Sequence, residues 1–169
     1  MSHIPVASAI GSIMYDMIST QLDIAFALSV ERRYQSNPGL LHWKAVKDIF
    51  KYLRKTKNLF LVYKSGELKL EGFTDSNFES DVDDSKSTSG FVFKLNDGDV
   101  SWKSSKQDIV ANSTSEIEYI ATSIVVNKGV QMRDFIQELG VNPQTVYPIS
   151  VNYDNTDVVA QTKELRFHQ

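Results

Sequence analysis

The apolar residues change period once along this chain, near Asn58, and that change limits the folds open to it. Before it the spacing is helical. Ile10, Ile13, Met14, Met17 and Ile18 recur at helical intervals after Pro5, which suits a first helical turn. A second apolar stretch, Ile24 to Val30, runs to Arg32-Arg33, and Asn37-Pro38-Gly39 breaks the chain. Trp43, Val46, Ile49, Phe50 and Leu53 then form one face of an amphipathic helix. After Asn58 alternation takes over. Strands are expected at Leu59–Lys64, at Leu68–Asp75, and as a hairpin of Phe91–Leu95 with Val100–Trp102 around the Asp97-Gly98 pair. Next come a long helix over about 115–139, with Ile117, Ile120, Ala121, Ile124, Met132, Phe135, Ile136 and Leu139 as its apolar positions, stopped by Gly140, a strand over Tyr147–Tyr153, and a helix starting over Asp157–Lys163. Three meander strands, a helical crossover and a further strand predict an α/β fold with a mixed sheet and helices packed on it.

Composition removes several classes of function. The chain has no cysteine, which excludes disulfides, thiolate catalysis and cysteine-ligated metal sites. No apolar run approaches the length of a membrane-spanning helix, and the N-terminus lacks the basic patch and apolar run of a secretory signal. The expectation is an intracellular protein with no membrane partner. The net charge of −3 hides a split. Residues 1–66 carry nine Lys/Arg against four Asp/Glu (+5), and residues 67–169 carry nine against seventeen (−8). Lys44, Lys47, Lys51, Arg54, Lys55 and Lys57 fill the polar side of the amphipathic helix. They serve either as a solvated face or as a stripe that follows a phosphate backbone.

Three carboxylates are placed where the expected sheet could gather them. Asp75 closes the first meander strand, Glu118 lies in the first turn of the long helix, and Asp154 ends the late strand. If the late strand pairs in parallel with the first, both aspartates emerge near one sheet edge, where α/β ligand sites lie. Converging carboxylates raise each other's pKa or bind a hard cation such as Mg²⁺. Each also has an ordinary explanation. Ser115-x-x-Glu118 matches a capping box, and Asp154-Asn155 matches turn chemistry. No spacing rule joins the three. His3, His42 and His168 show neither metal-ligand spacing nor an acidic partner nearby in sequence, and the Asp81-x-Asp83-x-Ser85 start of a calcium loop fails at Lys86 and Val92.

Ordered motifs add a further indication. Pro5-Val6-Ala7-Ser8-Ala9-Ile10-Gly11-Ser12-Ile13-Met14-Tyr15, Ser36-Asn37-Pro38-Gly39 and His42-Trp43-Lys44-Ala45-Val46-Lys47 lie in the first part. Lys86-Ser87-Thr88-Ser89-Gly90-Phe91-Val92-Phe93, Ser101-Trp102-Lys103-Ser104-Ser105-Lys106-Gln107, Ser113 through Ala121 and Asp154-Asn155 follow. Together they resemble the Pol polyproteins of Ty1/copia-type retrotransposons, end to end. Gln21-Leu22-Asp23 stands where members usually have Arg-Pro-Asp, Asn77-Phe78 where an Asp and a Trp are common, and Tyr153 where a cysteine is common.

The resemblance implies a helical reverse-transcriptase tail over 1–66, then a ribonuclease H-like domain over 67–169 whose last strand and helix are missing. It implies that Asp75, Glu118 and Asp154 hold two Mg²⁺ ions, with Mn²⁺ able to substitute, and cut RNA paired to DNA. Glu116, the rival for the helix position, lies about 200° round the helix from Glu118. The partners implied are an RNA–DNA hybrid and the reverse-transcriptase part of the same polyprotein, in a cytoplasmic particle or the nucleus. The alternative is an inactive remnant acting as a nucleic-acid- or protein-binding module.

Overall fold

A computed structural model of the chain describes residues 5–66, 68–77, 86–111, 113–140 and 149–152. The chain divides into two compact units, Met1–Val62 and Tyr63–Gln169. Among the described residues, no helix is long and apolar enough to cross a membrane.

The first unit is helical, as its period predicts. Helices α1 (Val6–Ser19), α2 (Ala25–Glu31) and α3 (Leu40–Thr56) are joined through short 3₁₀ turns at Leu22–Ile24 and Arg32–Tyr34. Val6, Ile10 and Ile13 of α1 pack with Ile24, Leu28, and Val46 and Ile49 of α3 in one core. The apolar stripes read from sequence are too wide, however. Ile18 is 65% exposed and Phe50 42%, because each stands at the margin of a stripe whose centre already meets the other helices. Arg54 and Lys55 close α3, where positive charge complements the helix dipole.

Among its described residues the second unit carries a four-stranded sheet: β1 (Leu70–Asn77), β2 (Thr88–Leu95), β3 (Gly98–Lys106) and β4 (Ser150–Asn152), in the order β3-β2-β1-β4. The first three form the expected antiparallel meander. β4 pairs in parallel with β1, with Glu71 opposite Ser150, Gly72 opposite Val151 and Phe73 opposite Asn152. The expected helix after Asp157 lies outside the described residues, as does the rest of the Tyr147–Tyr153 strand.

Two local expectations are corrected. The hairpin loop is Asn96-Asp97, with φ of 51° and 64°, and not Asp97-Gly98. Both central residues therefore take the left-handed conformation that a two-residue hairpin turn needs. Residues 59–64 form no strand. Their end crosses the hairpin tip, where Asn96 uses all its polar groups. Its N–H donates to Lys69 O (3.1 Å), its Oδ1 accepts from Lys69 N–H (2.9 Å), its carbonyl accepts from Lys64 N–H (3.3 Å), and its Nδ2 donates to Lys64 O (3.3 Å). With its bonds spent on a turn, the Lys64 end of this segment lacks the repeating ladder that makes a strand.

Helix α4 (Thr114–Glu138) lies on the sheet and buries Ile117, Ala121, Val125, Gly129 and Ile136. Phe135 and Leu139, read from sequence as part of that face, are 61% and 62% exposed. Phe93, fully buried, explains the glycine at 72. A Cβ on Gly72 would meet the Phe93 ring at 2.9 Å and Val125 at 3.3 Å, and one on Gly129 would meet the same ring at an ordinary van der Waals distance of 3.6 Å. The ring occupies a slot between strand and helix that a side chain at 72 would fill.

Candidate active site

The carboxylates expected at the site are placed by β1 and α4. Side chains alternate along β1. Leu70 and Gly72 face α4, so Asp75 shares the other face with Phe73. Asp75 is exposed, lies opposite Gly90 of β2, and accepts a hydrogen bond from the Ser76 N–H at 2.8 Å.

Glu118 is in the second turn of α4, and the capping explanation for it is overturned. The N-cap is Ser113, whose hydroxyl oxygen accepts from the Glu116 N–H at 3.2 Å. Two Ser-x-x-Glu frames overlap here, and the helix uses the earlier one. Such a cap stabilises a helix by about 1 kcal/mol. Glu118 is thereby left without a capping task. Its Oε2 is buried and has no hydrogen-bond partner.

The packing sets both carboxylates at one end of the sheet. Val125 abuts the position of Gly72, and the N-terminal part of α4 extends from there over Ser89, Phe91, Lys103 and Ser105, which line a crevice with Ala121 and Val125. The helix therefore runs antiparallel to β1. From Val125 back to Glu118, and from Gly72 on to Asp75, the chain covers about 10 Å in the same direction. Asp75 stands at that end on the face of β1 turned away from α4, and Glu118 stands at the same end on the helix.

Asp154 lies outside the described residues. Among the described residues, no group of three His, Asp or Glu side chains could hold a metal ion. The oxygen-only chemistry of Asp75 and Glu118, with the unpartnered Glu118 oxygen, fits a hard divalent cation rather than a soft one.

Sequence reasoning missed one residue here. Gln107, just past β3, is 5% exposed, and its Oε1 is a second buried acceptor without a partner. A lone glutamine between a strand and a helix carries no local signal, because its partner is ten residues further on.

In the first unit, Lys44, Lys47, Lys51, Arg54, Lys55 and Lys57 are all exposed along α3 and its C-cap. Lys51 pairs with Asp48 at 2.7 Å, and Lys47 Nζ lies 5.9 Å from the Trp43 ring centroid. The Lys51 hydrogen bond, with the charges of Lys51, Lys44 and Lys47, holds the Asp48 carboxyl below its ordinary range. His42 does have an acidic partner, distant in sequence: Glu31 lies 3.0 Å from its Nδ1, and Tyr34 stacks on its ring at 4.2 Å.

No family model matches the chain, and no solved structure matches it either. Curated relatives do. The chain is 38% identical over 168 residues to the retrovirus-related Pol polyprotein from transposon TNT 1-94 of Nicotiana tabacum, a match covering 99% of this chain and 12% of that polyprotein. It is 42% identical over 131 residues to secreted RxLR effector protein 161 of Plasmopara viticola, covering 77% of this chain and 92% of that protein. To the retrovirus-related Pol polyprotein from transposon RE2 of Arabidopsis thaliana it is 29% identical over 160 residues, 94% of this chain and 11% of the polyprotein. The chain thus spans about an eighth of the TNT 1-94 polyprotein. Over most of its length the chain is thus homologous to a short part of the retrovirus-related Pol polyproteins of Ty1/copia-type transposons.

Proposed function

We propose that residues 67–169 are a ribonuclease H-like domain that hydrolyses RNA in RNA–DNA hybrids, and that residues 1–66 are the reverse-transcriptase tail preceding it. The observation that carries this reading is the placement of Asp75 and Glu118 at one end of a mixed sheet, with a buried Glu118 oxygen that has no protein partner. The parallel pairing of β4 with β1 supports the third member, since Asp154 follows Asn152, the last paired residue of β4, by two positions in the sequence. Asp75, Glu118 and Asp154 would hold Mg²⁺, or Mn²⁺ in its place. Bound there, the metal supplies an acidified water and charge neutralisation at the scissile phosphate. The carboxylates themselves fix where the phosphate is accepted in an otherwise repulsive, acidic region.

The test is cleavage of a labelled RNA–DNA hybrid by the full chain with Mg²⁺ or Mn²⁺, wild type beside Asp75→Asn. Loss of cleavage in the variant is expected, and cleavage unchanged by the substitution refutes the site. A second reading, a non-catalytic binding module, is favoured by the Plasmopara relative, 92% of which is matched and which is named an effector rather than a polyprotein. A folded wild-type chain that binds hybrid without cutting it selects that reading.

Hybrid affinity is expected to come mainly from the positive α3 stripe. Its side chains would set position along the duplex without reading bases. Lys47, Lys51 and Lys55 are spaced four apart on one face, and replacing all three with glutamine is expected to lower the slope of log affinity against log salt by about two to three units. An unchanged slope in a folded protein returns α3 to a solvated face.

A further inference from the structure

Gln107 is held at both ends. Its backbone N–H donates to Ser87 O at 2.8 Å, ahead of β2, and its side-chain Nε2 donates to Ile117 O at 3.3 Å, inside α4. That second carbonyl belongs to the peptide bond joining Ile117 to Glu118. The amide orientation follows from the bond, since the flipped amide would set oxygen against oxygen. A carbonyl has two lone pairs, so the contact adds to the helical hydrogen bond there and does not compete with it. Gln107 thus ties the second turn of α4 to the end of the sheet, one bond from the Glu118 backbone. Its surroundings are polar for a buried region, with Ser87, Thr88 and Ser89 also buried. Ile117 and Ala121 are buried here too, and a further apolar contact of α4 lies two turns on, where Phe93 and Gly72 pack around Val125 and Gly129.

We propose that Gln107 is a positioning residue for Glu118: it sets the rotation and height of the first turns of α4, and so the point to which the Glu118 carboxylate is delivered. The effect on the helix rests on the geometry alone. Its consequence at a metal ion rests on the ribonuclease H reading.

The experiment compares the full chain with Gln107→Ala and with Val125→Ala, which loosens α4 in its apolar contact instead. In Gln107→Ala, amide exchange at Glu118–Ala121 is expected to accelerate about tenfold relative to the middle of α4. Mn²⁺ affinity by calorimetry is expected to fall about 10- to 100-fold, the usual cost of losing an outer-shell partner. Val125→Ala is expected to lose at least as much thermal stability and to keep wild-type Mn²⁺ affinity. Unchanged exchange at Glu118–Ala121 overturns the tether. Faster exchange with unchanged Mn²⁺ affinity, or an equal affinity loss in Val125→Ala, overturns the positioning role. A wild-type chain that binds no Mn²⁺ refutes the ribonuclease H reading and with it the metal half of the proposal, and the exchange measurement still decides the tether.

Discussion

Replacing Glu118 with glutamine is expected to cut Mg²⁺-supported cleavage of a hybrid by about 10³-fold, the several kcal/mol that metal-ion stabilisation of the transition state supplies. The same change is expected to move the melting temperature of the metal-free chain little, because an amide at 118 is as unpartnered as the carboxylate oxygen it replaces and forgoes only the about 0.3–1 kcal/mol that a carboxylate gains near a helix N-terminus. Mn²⁺ at a hundredfold excess over its dissociation constant stabilises a binding chain by about 2.7 kcal/mol. Thermal melts with and without Mn²⁺ therefore show a large increment for wild type and little for Glu118→Gln. Equal increments would remove Glu118 from the metal site. Glu116→Gln serves as the control and is expected to retain both cleavage and the Mn²⁺ increment.

The largest stability effect is expected at Phe93. Phe93→Ala should cost about 3–5 kcal/mol, a large part of the 5–15 kcal/mol that holds a domain folded. The upper end applies because Gly72 and Gly129, which border the ring, have no side chains that could move into the space. Trp102 lies in β3, so denaturant unfolding followed by its fluorescence in a Trp43→Phe background reads this unit. Gly72→Ala makes the opposite error and should cost about 1–3 kcal/mol through overpacking against the ring. A loss below about 1 kcal/mol for Phe93→Ala would mean that the slot is not the organising contact of the sheet.

These two sites also show what is legible in the sequence. Periodicity finds α1, α3, α4 and the meander, because each buries one face and the repeat of that face is local. It overestimates the buried stripe at Ile18, Phe50, Phe135 and Leu139, since an apolar residue at a stripe's margin looks the same whether or not another element covers it. Gly72 leaves no trace in a hydrophobic pattern, because its contribution is the absence of a side chain. Asp75 and Glu118 are legible as candidates. That Ser113 and not Ser115 caps α4, leaving Glu118 without a capping role, depends on where the helix starts, which two overlapping Ser-x-x-Glu frames cannot decide. Residues 59–64 alternate as a strand does, but their Lys64 end spends its hydrogen bonds on the Asn96 turn.

The parallel strand also sets an order of events. The meander closes through a two-residue loop, and hairpins of that kind form in about 1–10 μs. The contact of Asn152 with Gly72 joins residues 80 positions apart in sequence. Its closure entropy is repaid only after the intervening chain has been ordered, so β4 docks late. On a ribosome the meander can therefore form before β4 has been made. Asp75 and Glu118 then stand in place ahead of any third carboxylate carried beyond β4. Among the described strands, β4 is thereby the last to join the sheet, and its pairing with β1 is the contact that synthesis delays longest.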